Sequence, residues 1–303
     1  AGDTITEINS PNGATHLVRL VTYLDGIPLG NIKRHSNELL RDLGRAVAQV
    51  DKALADFDHT AIHRKFHWDL AHGLEVCREY ESLITDESLC ALVQKITADY
   101  EQNIAPLLPN LRKSIIHNDA NDYNVLVGGG DDLYSRNQSV VGVIDFGDLV
   151  HSYTVGGLAI AIAYTILEKP NPLAVAAEIV KGYHAEFALN EIELNALFRM
   201  ICLRLCMSVC LAAHQQSQRP DDEYLAISQA PIRQTLPELA EIHPHFAEVV
   251  FRHACGLEPV AKTEKVVNYL RENAENFASV VEEDLRNENL VVLDLSIDSP
   301  FVS

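Results

Sequence analysis

The sequence predicts a mostly helical α+β fold, and three observations carry that prediction. Apolar residues recur at helical spacing through most of the chain, from Leu39-Leu40-Leu43-Val47 to residues 191–216. Short β-branched runs are confined to the first 25 residues and to a central insert between residues 114 and 144. The composition, 47% apolar and 22% charged over 303 residues, suits a globular chain with a sizeable core. The expected boundaries are a strand pair and its exit at 1–25, a helical body with the β-loop insert at 26–285, and an extended tail at 286–303.

Each element follows from local chemistry. Thr4 to Asn9 alternates, Ser10-Pro11-Asn12-Gly13 is a strong turn signal, and His16 to Leu24 resumes the extended pattern with Val18, Leu20 and Leu24 on one face. Ser36 is placed to cap a helix whose stripe runs through Leu39, Leu40, Leu43, Val47, Val50 and Leu54. Further helices are expected to start near Trp68-Asp69 and near Thr85-Asp86-Glu87, the latter ending before Pro106 and Pro109. Ser114 to Ile116, Asn124 to Val127 and Val140 to Ile144 read as strands. Helices are expected at about 155–168, 172–188 and 191–216, then as shorter pieces to about 285. Asn190 followed by Glu193 is a capping-box signature for the longest of these. Leu290 to Ser296 leaves the helical period for an apolar, extended tail that suits either a packed terminus or a chain leading into a further domain.

Charge and cysteine usage narrow the function classes. A net charge of -19, from 43 acidic and 24 basic residues, repels phosphate backbones and argues against a nucleic-acid partner. The same field repels a nucleotide at long range, so a nucleotide site would depend on a local metal and close donors. Cys77, Cys90, Cys202, Cys206, Cys210 and Cys255 form no C-x-x-C pair. Three of them recur every four residues, as a buried helix face does. Free cysteines of this kind point to a reducing, cytoplasmic compartment. Residues 1–10 lack the apolar block of a secretory signal, and the run from Val155 to Leu167 is shorter than the ~20 residues that cross a bilayer. No membrane partner is expected.

The chemistry lies in the central insert, which reads Ile116-His117-Asn118-Asp119-Ala120-Asn121-Asp122-Tyr123-Asn124-Val125-Leu126-Val127. About twenty residues later comes Val143-Ile144-Asp145-Phe146-Gly147-Asp148. Two loops at strand ends thus present Asp119, Asn124 and Asp145. Phosphoryl transfer needs an acceptor hydroxyl oriented by a carboxylate, and a hard cation bridging the phosphates. An amide oxygen and a second carboxylate suit that cation, since magnesium prefers oxygen ligands and keeps several waters.

The H-x-D-x-x-x-x-N segment followed by I-D-F-G resembles the catalytic and metal loops of the protein-kinase-like superfamily. With Leu17 to Leu24, His67-Trp68-Asp69-Leu70, the H-N-D-A-N-D-Y-N loop and V-I-D-F-G-D, the chain resembles the aminoglycoside-phosphotransferase and choline-kinase branch. The similarity is greatest to the hydroxylysine-kinase group and spans roughly residues 5–285. It implies a protein-kinase-like large lobe with a remnant strand pair of the small lobe. It implies ATP and magnesium as cofactors and a small amino-alcohol as substrate, with 5-hydroxylysine the first candidate. Asp119 would be the catalytic base, and Asn124 and Asp145 the metal ligands. His117 would either organise the metal loop's backbone or serve as an acid or base. Thr22, Tyr23 and Leu24 would form the hinge that meets adenine. Asp148 would contact a substrate ammonium or a second metal, or simply cap a helix. Trp68 and Asp69 would face the acceptor, or be a packed indole and a capping carboxylate. Arg204, set in an apolar stripe, needs a carboxylate partner, either from the protein or from a substrate.

Two departures from the family pattern stand out. Neither a glycine-rich turn nor a lysine precedes Lys33, and Gly128-Gly129-Gly130 follows the catalytic segment and cannot replace them. The resulting expectation is a chain that starts at Ala1 without most of its small lobe and is nearly inactive alone. Asn121 also stands where the family places a lysine or histidine, which removes a cation from the transferred phosphate. Similar kinase domains can be fused to class-III aminotransferase-like modules, so a non-catalytic ligand-binding role within a larger polypeptide is the alternative expectation. A metal-dependent phosphoesterase built on His117, Asp119 and Asp145 would want more metal ligands than these loops supply.

Overall fold

The computed structural model describes residues 5–130, 138–219, 223–260 and 263–277. The expected tail at 286–303 lies outside the described residues, as does the polar loop at 131–137.

The chain opens with an antiparallel hairpin, β1 (Thr6–Asn9) and β2 (Thr15–Val18), in the register Thr6↔Val18. Both strands are exposed throughout. The face expected from Val18, Leu20 and Leu24 is not buried, and Leu20 is 99% exposed. Alternation set the extended backbone here, and of this face only the far end is covered, where Leu24 meets Gly142 of the central insert. Beyond Val18 the chain runs without ladder partners to β3 (Ile27–Pro28), so the second strand is shorter than expected.

Helix α1 (Asn37–Leu54) is capped by Ser36, whose hydroxyl accepts from the Leu39 N–H at 3.2 Å. The helix expected at Trp68-Asp69 begins as a 3-10 turn at Leu70–His72 capped by Asp69, and α2 (Gly73–Tyr80) follows. Helix α3 (Glu87–Asn103) is capped by Asp86. A 3-10 turn at Ala105–Asn110 then accommodates both prolines.

The central insert forms two small sheets. β4 (Lys113–Ile116) pairs antiparallel with β7 (Val150–Tyr153), a strand the sequence reading missed. β5 (Val125–Gly128) lies between β3 and β6 (Ser139–Val143), again antiparallel. The chain therefore crosses from one sheet to the other after β4 and returns after β6. Both crossings are the chemistry-bearing loops.

Helices α4 (Thr154–Thr165), α5 (Pro172–Glu186) and α6 (Glu191–Gln218) build the core. Nearly every residue of α4 is buried, and it ends at Thr165, before Glu168 adopts a left-handed φ of 56°. Helix α6 carries the expected capping box, with Glu193 N–H on Asn190 and Asn190 N–H on Glu193. By length and composition α6 could cross a membrane, but 89% of its apolar window is buried in the protein, including Cys202, Cys206 and Cys210. It is a core helix. α7 (Glu223–Ala240) is longer than the short pieces expected and continues through Pro231 and Pro237. α8 (Pro244–Ala254), α9 (Thr263–Glu272) and α10 (Ala274–Phe277) complete the described chain.

Helices α1 and α5 cross in close contact because each offers a glycine. A Cβ on Gly44 would collide with the Ile179 carbonyl, and one on Gly182 with the Arg41 carbonyl. Where they meet, Tyr183 donates to Asp51 at 2.8 Å inside the core.

Candidate active site

The two crossings between sheets lie side by side. The Ile144 N–H donates to the Asn124 carbonyl at 2.9 Å, and His117 Nε2 bonds the Ile144 carbonyl at 2.9 Å. A carbonyl can only accept, so Nε2 carries the proton and Nδ1 is left to accept the Asp119 N–H at 3.3 Å. His117 is 2% exposed and meets the Phe146 ring edge-on at 4.7 Å. Burial pushes its pKa below the ordinary imidazole value, against the Ile144 carbonyl and the charges of Asp119 and Asp145. A neutral histidine with both nitrogens engaged is an organiser of the two loops.

Asp119 sits at the centre. Its Oδ2 accepts from Asn124 Nδ2 at 2.8 Å, its Oδ1 from Asn121 Nδ2 at 3.0 Å, and Arg204 Nη2 lies 3.7 Å from Oδ1. Burial raises the Asp119 pKa above the ordinary carboxylate value, opposed by Asn121 and Arg204 and reinforced by Asp148. The Asn121 position, read only as a missing cation, is a hub. Its Oδ1 accepts from the Tyr123 N–H at 2.8 Å and the Asn124 N–H at 3.1 Å, an Asx turn that shapes the loop.

The donor set fits a hard divalent cation. Asn124 commits its amide nitrogen to Asp119, which leaves its carbonyl oxygen as the atom to offer. Asp145 is exposed and held at φ 64°, ψ 66°. That left-handed geometry is sparsely populated by non-glycine residues and turns the backbone sharply at the strand end. Among the described residues no group of three or more His, Cys, Asp or Glu could hold a metal. Asn124 Oδ1 and the Asp145 carboxylate are the oxygen donors that could meet such a cation, which prefers oxygen ligands. Arg64, unnoticed in the sequence, donates to the Gly147 carbonyl at 2.8 Å and lies 3.9 Å from Asp148, bracing this loop.

The other predicted residues separate into two groups. Asp119, Asp148, Trp68 and Arg204 line one cavity of about 850 Å³. Asp69 does not: it is 3% exposed and accepts from the Ala71 N–H and the Ser152 hydroxyl, a capping carboxylate beneath the site. Arg204 is 1% exposed. Its carboxylate partner is Asp119, and it also bonds the Trp68 carbonyl and Tyr164 Oη while lying 4.7 Å from the Trp68 ring centroid. Thr22, Tyr23 and Leu24 lie outside the cavity. Tyr23 is 80% exposed, whereas Leu24 packs so closely on Gly142 of β6 that a Cβ there would strike it. Leu24 thus rests on the sheet that leads to Asp145. Lys169, Asp122 and Tyr164 also line the cavity; Asp122 lies within the catalytic-loop motif without having been singled out, and nothing in the local sequence of Lys169 and Tyr164 marked them.

A curated hydroxylysine kinase from Mus musculus is 32% identical over 235 residues, covering 74% of this chain and 61% of that protein. The chain therefore spans about three fifths of that relative's length. Among solved structures, a microcompartment-associated aminopropanol kinase superimposes with a TM-score of 0.56 at 17% identity, over 86% of this chain and 75% of that one. An amicoumacin kinase solved with AMP-PNP, calcium and amicoumacin gives 0.53 at 14% identity, over 80% and 72%. These two likenesses show the fold. The phosphotransferase enzyme family model (APH) matches residues 4–194, well over half of the sequence and inclusive of both loops. On that match the chain belongs to the APH phosphotransferase enzyme family.

Proposed function

We propose that this chain is the catalytic lobe of an ATP- and magnesium-dependent kinase that phosphorylates the hydroxyl of a small amino compound, with 5-hydroxylysine the first candidate. One observation carries the reading: Asp119 opens into the cavity while hydrogen-bonded to Asn124, whose backbone is joined to the loop bearing Asp145. Asp119 accepts the acceptor hydroxyl's proton. Asn121 and Arg204 fix its carboxylate from Oδ1 and Asn124 from Oδ2. Asn124 Oδ1 and the Asp145 carboxylate would hold magnesium, which when bound would offset the charge of the phosphates. His117 locks the two loops in register, and Thr22 to Leu24 meet the adenine edge. The hydroxylysine kinase relative and the aminopropanol kinase fold support an amino-alcohol or amino-acid acceptor. Six unpaired cysteines support a reducing, cytoplasmic setting.

Turnover by these 303 residues alone is proposed to be slow, because no lysine before Lys33 is available to position the α- and β-phosphates. The test is ADP release with magnesium-ATP across hydroxylysine, choline, ethanolamine, homoserine and kanamycin, beside nucleotide binding by calorimetry. Asp119→Asn should lower turnover by about 10²- to 10⁴-fold and leave nucleotide affinity within a few-fold. Absence of magnesium-dependent nucleotide binding by the folded chain overturns the kinase reading.

A further inference from the structure

The acceptor cavity holds charged groups that the phosphoryl-transfer machinery does not use. Lys169 and Asp122 both line it, and Asp122 is close enough for its charge to act on Lys169. Neither is neutralised by the other in an ion pair. Among the described residues, the Lys169 ammonium has no ion-pair or hydrogen-bond partner at all. By contrast, Arg204 on the same wall is already engaged by Asp119, the Trp68 carbonyl and Tyr164. A half-buried lysine kept without a partner is costly unless a ligand supplies the counter-charge.

The backbone around Lys169 is built to hold it there. Glu168 adopts φ 56°, a left-handed conformation that a glutamate rarely takes. That conformation is held from outside the turn, since the Glu168 N–H donates at 3.0 Å to Thr235 Oγ1 on α7, a hydroxyl-bearing residue 1% exposed. Asp122 is anchored in a similar way. The Gly30 N–H donates to its carbonyl at 2.8 Å, and Gly30 leaves room for the carboxylate, which a Cβ there would meet at 2.6 Å.

We infer that Lys169 and Asp122 form a zwitterion-reading subsite, Lys169 taking the α-carboxylate and Asp122 the α-ammonium of a hydroxylated free amino acid. This deepens the proposed kinase reading and rests on it. Asp119 then faces the hydroxyl to be phosphorylated, and Asp148, on the same cavity, faces an ammonium near that hydroxyl. A plain amino-alcohol or an aminoglycoside has no carboxylate to offer Lys169 and would leave that cation unpaired. The acceptor class is thereby narrowed to amino acids.

The experiment is calorimetric titration of the 303-residue chain, with magnesium and AMP-PNP present, using 5-hydroxylysine and its α-carboxamide. The two probes differ by one negative charge at the group in question. The wild-type chain should bind the acid at least tenfold more tightly than the carboxamide. Lys169→Met should erase that difference by weakening the acid alone, and Lys169→Arg should restore part of it, which separates a lost charge from a disturbed fold. Discrimination that survives Lys169→Met overturns the assignment, as does a wild-type chain that binds both probes equally. A Lys169→Met effect on AMP-PNP affinity also overturns it, by placing the lysine at the nucleotide. A chain that binds AMP-PNP and neither probe refutes the amino-acid subsite and leaves the phosphotransferase reading standing. One that binds no nucleotide refutes both.

Discussion

His117 shows how one side chain couples two loops. Its Nε2–H and Nδ1 serve opposite partners, the Ile144 carbonyl and the Asp119 N–H, and no other residue type offers that donor–acceptor pair in a flat, buried ring. His117→Ala should leave the Ile144 carbonyl unsatisfied at a cost of about 1–3 kcal/mol. It should also raise the magnesium concentration needed for nucleotide binding, because Asp145 is the next residue. Urea denaturation and a magnesium titration of nucleotide binding would read the two effects, and wild-type behaviour in the titration would remove His117 from the organising role.

Asp51 makes a different prediction at the same scale. Its carboxyl is buried against Gly157, Tyr183 bonds one oxygen, and the other oxygen has no partner. Burial pushes its pKa from 3.8 up to about 8, with Tyr183 and Arg112 opposing and Glu193 adding to the rise. The folded chain therefore keeps a proton that the unfolded chain releases between those values. Stability from this group is complete below about pH 4 and is lost as pH climbs through 8. Asp51→Asn cannot ionise and still accepts from Tyr183. Its unfolding midpoint in urea should match wild type more closely at pH 5 than at pH 9, where the variant should be the more stable, on the order of several kcal/mol. Parallel curves for the two proteins would contradict this.

At the scale of elements, capping chemistry was legible and close packing was not. Ser36, Asp86 and Asn190 stand where their side-chain oxygens can meet orphan N–H groups, so three helix starts were readable from a few adjacent letters. Strand β7 was missed because Val150-His151-Ser152-Tyr153 is short and acquires its ladder only from β4, some thirty-five residues earlier. The α1–α5 crossing was equally hidden, since glycine in a helix gives no sign of the backbone that approaches it. Gly44→Ala or Gly182→Ala should destabilise the fold by ~3 kcal/mol, because the obstructing atoms are backbone and cannot rotate away. Chemical denaturation would show it as a shifted midpoint with an unchanged slope. A neutral result, in line with alanine's better helix propensity, would mean that the helices can part at little cost.

For the whole molecule, stability is distributed unevenly. Helix α6 is the axis of the core, whereas residues 5–24 form an exposed hairpin and strand exit with large apolar side chains in solvent. Hydrogen exchange should find the hairpin amides unprotected on a scale of seconds and those of α6 protected nearly to the limit of global unfolding. Slow exchange in the hairpin would instead indicate a surface that covers it, such as a second copy of the chain, which a concentration series would detect.

The sequence by itself determined the family, since the residues proposed as base and metal ligands sit at set spacings along two short loops. His117, Asp119, Asn124 and Asp145 are adjacent in space because each loop is short and both cross between the same two sheets. Tertiary structure alone decided which distant side chains complete the site. Arg204 on α6 reaches Asp119 across eighty-five positions of sequence, Lys169 reaches the cavity through a left-handed turn held from α7, and Asp69 falls just below it as a cap. Motif spacing encodes neighbours that share a loop. The lining of a cavity depends on how whole helices pack, and no local pattern of residues specifies that.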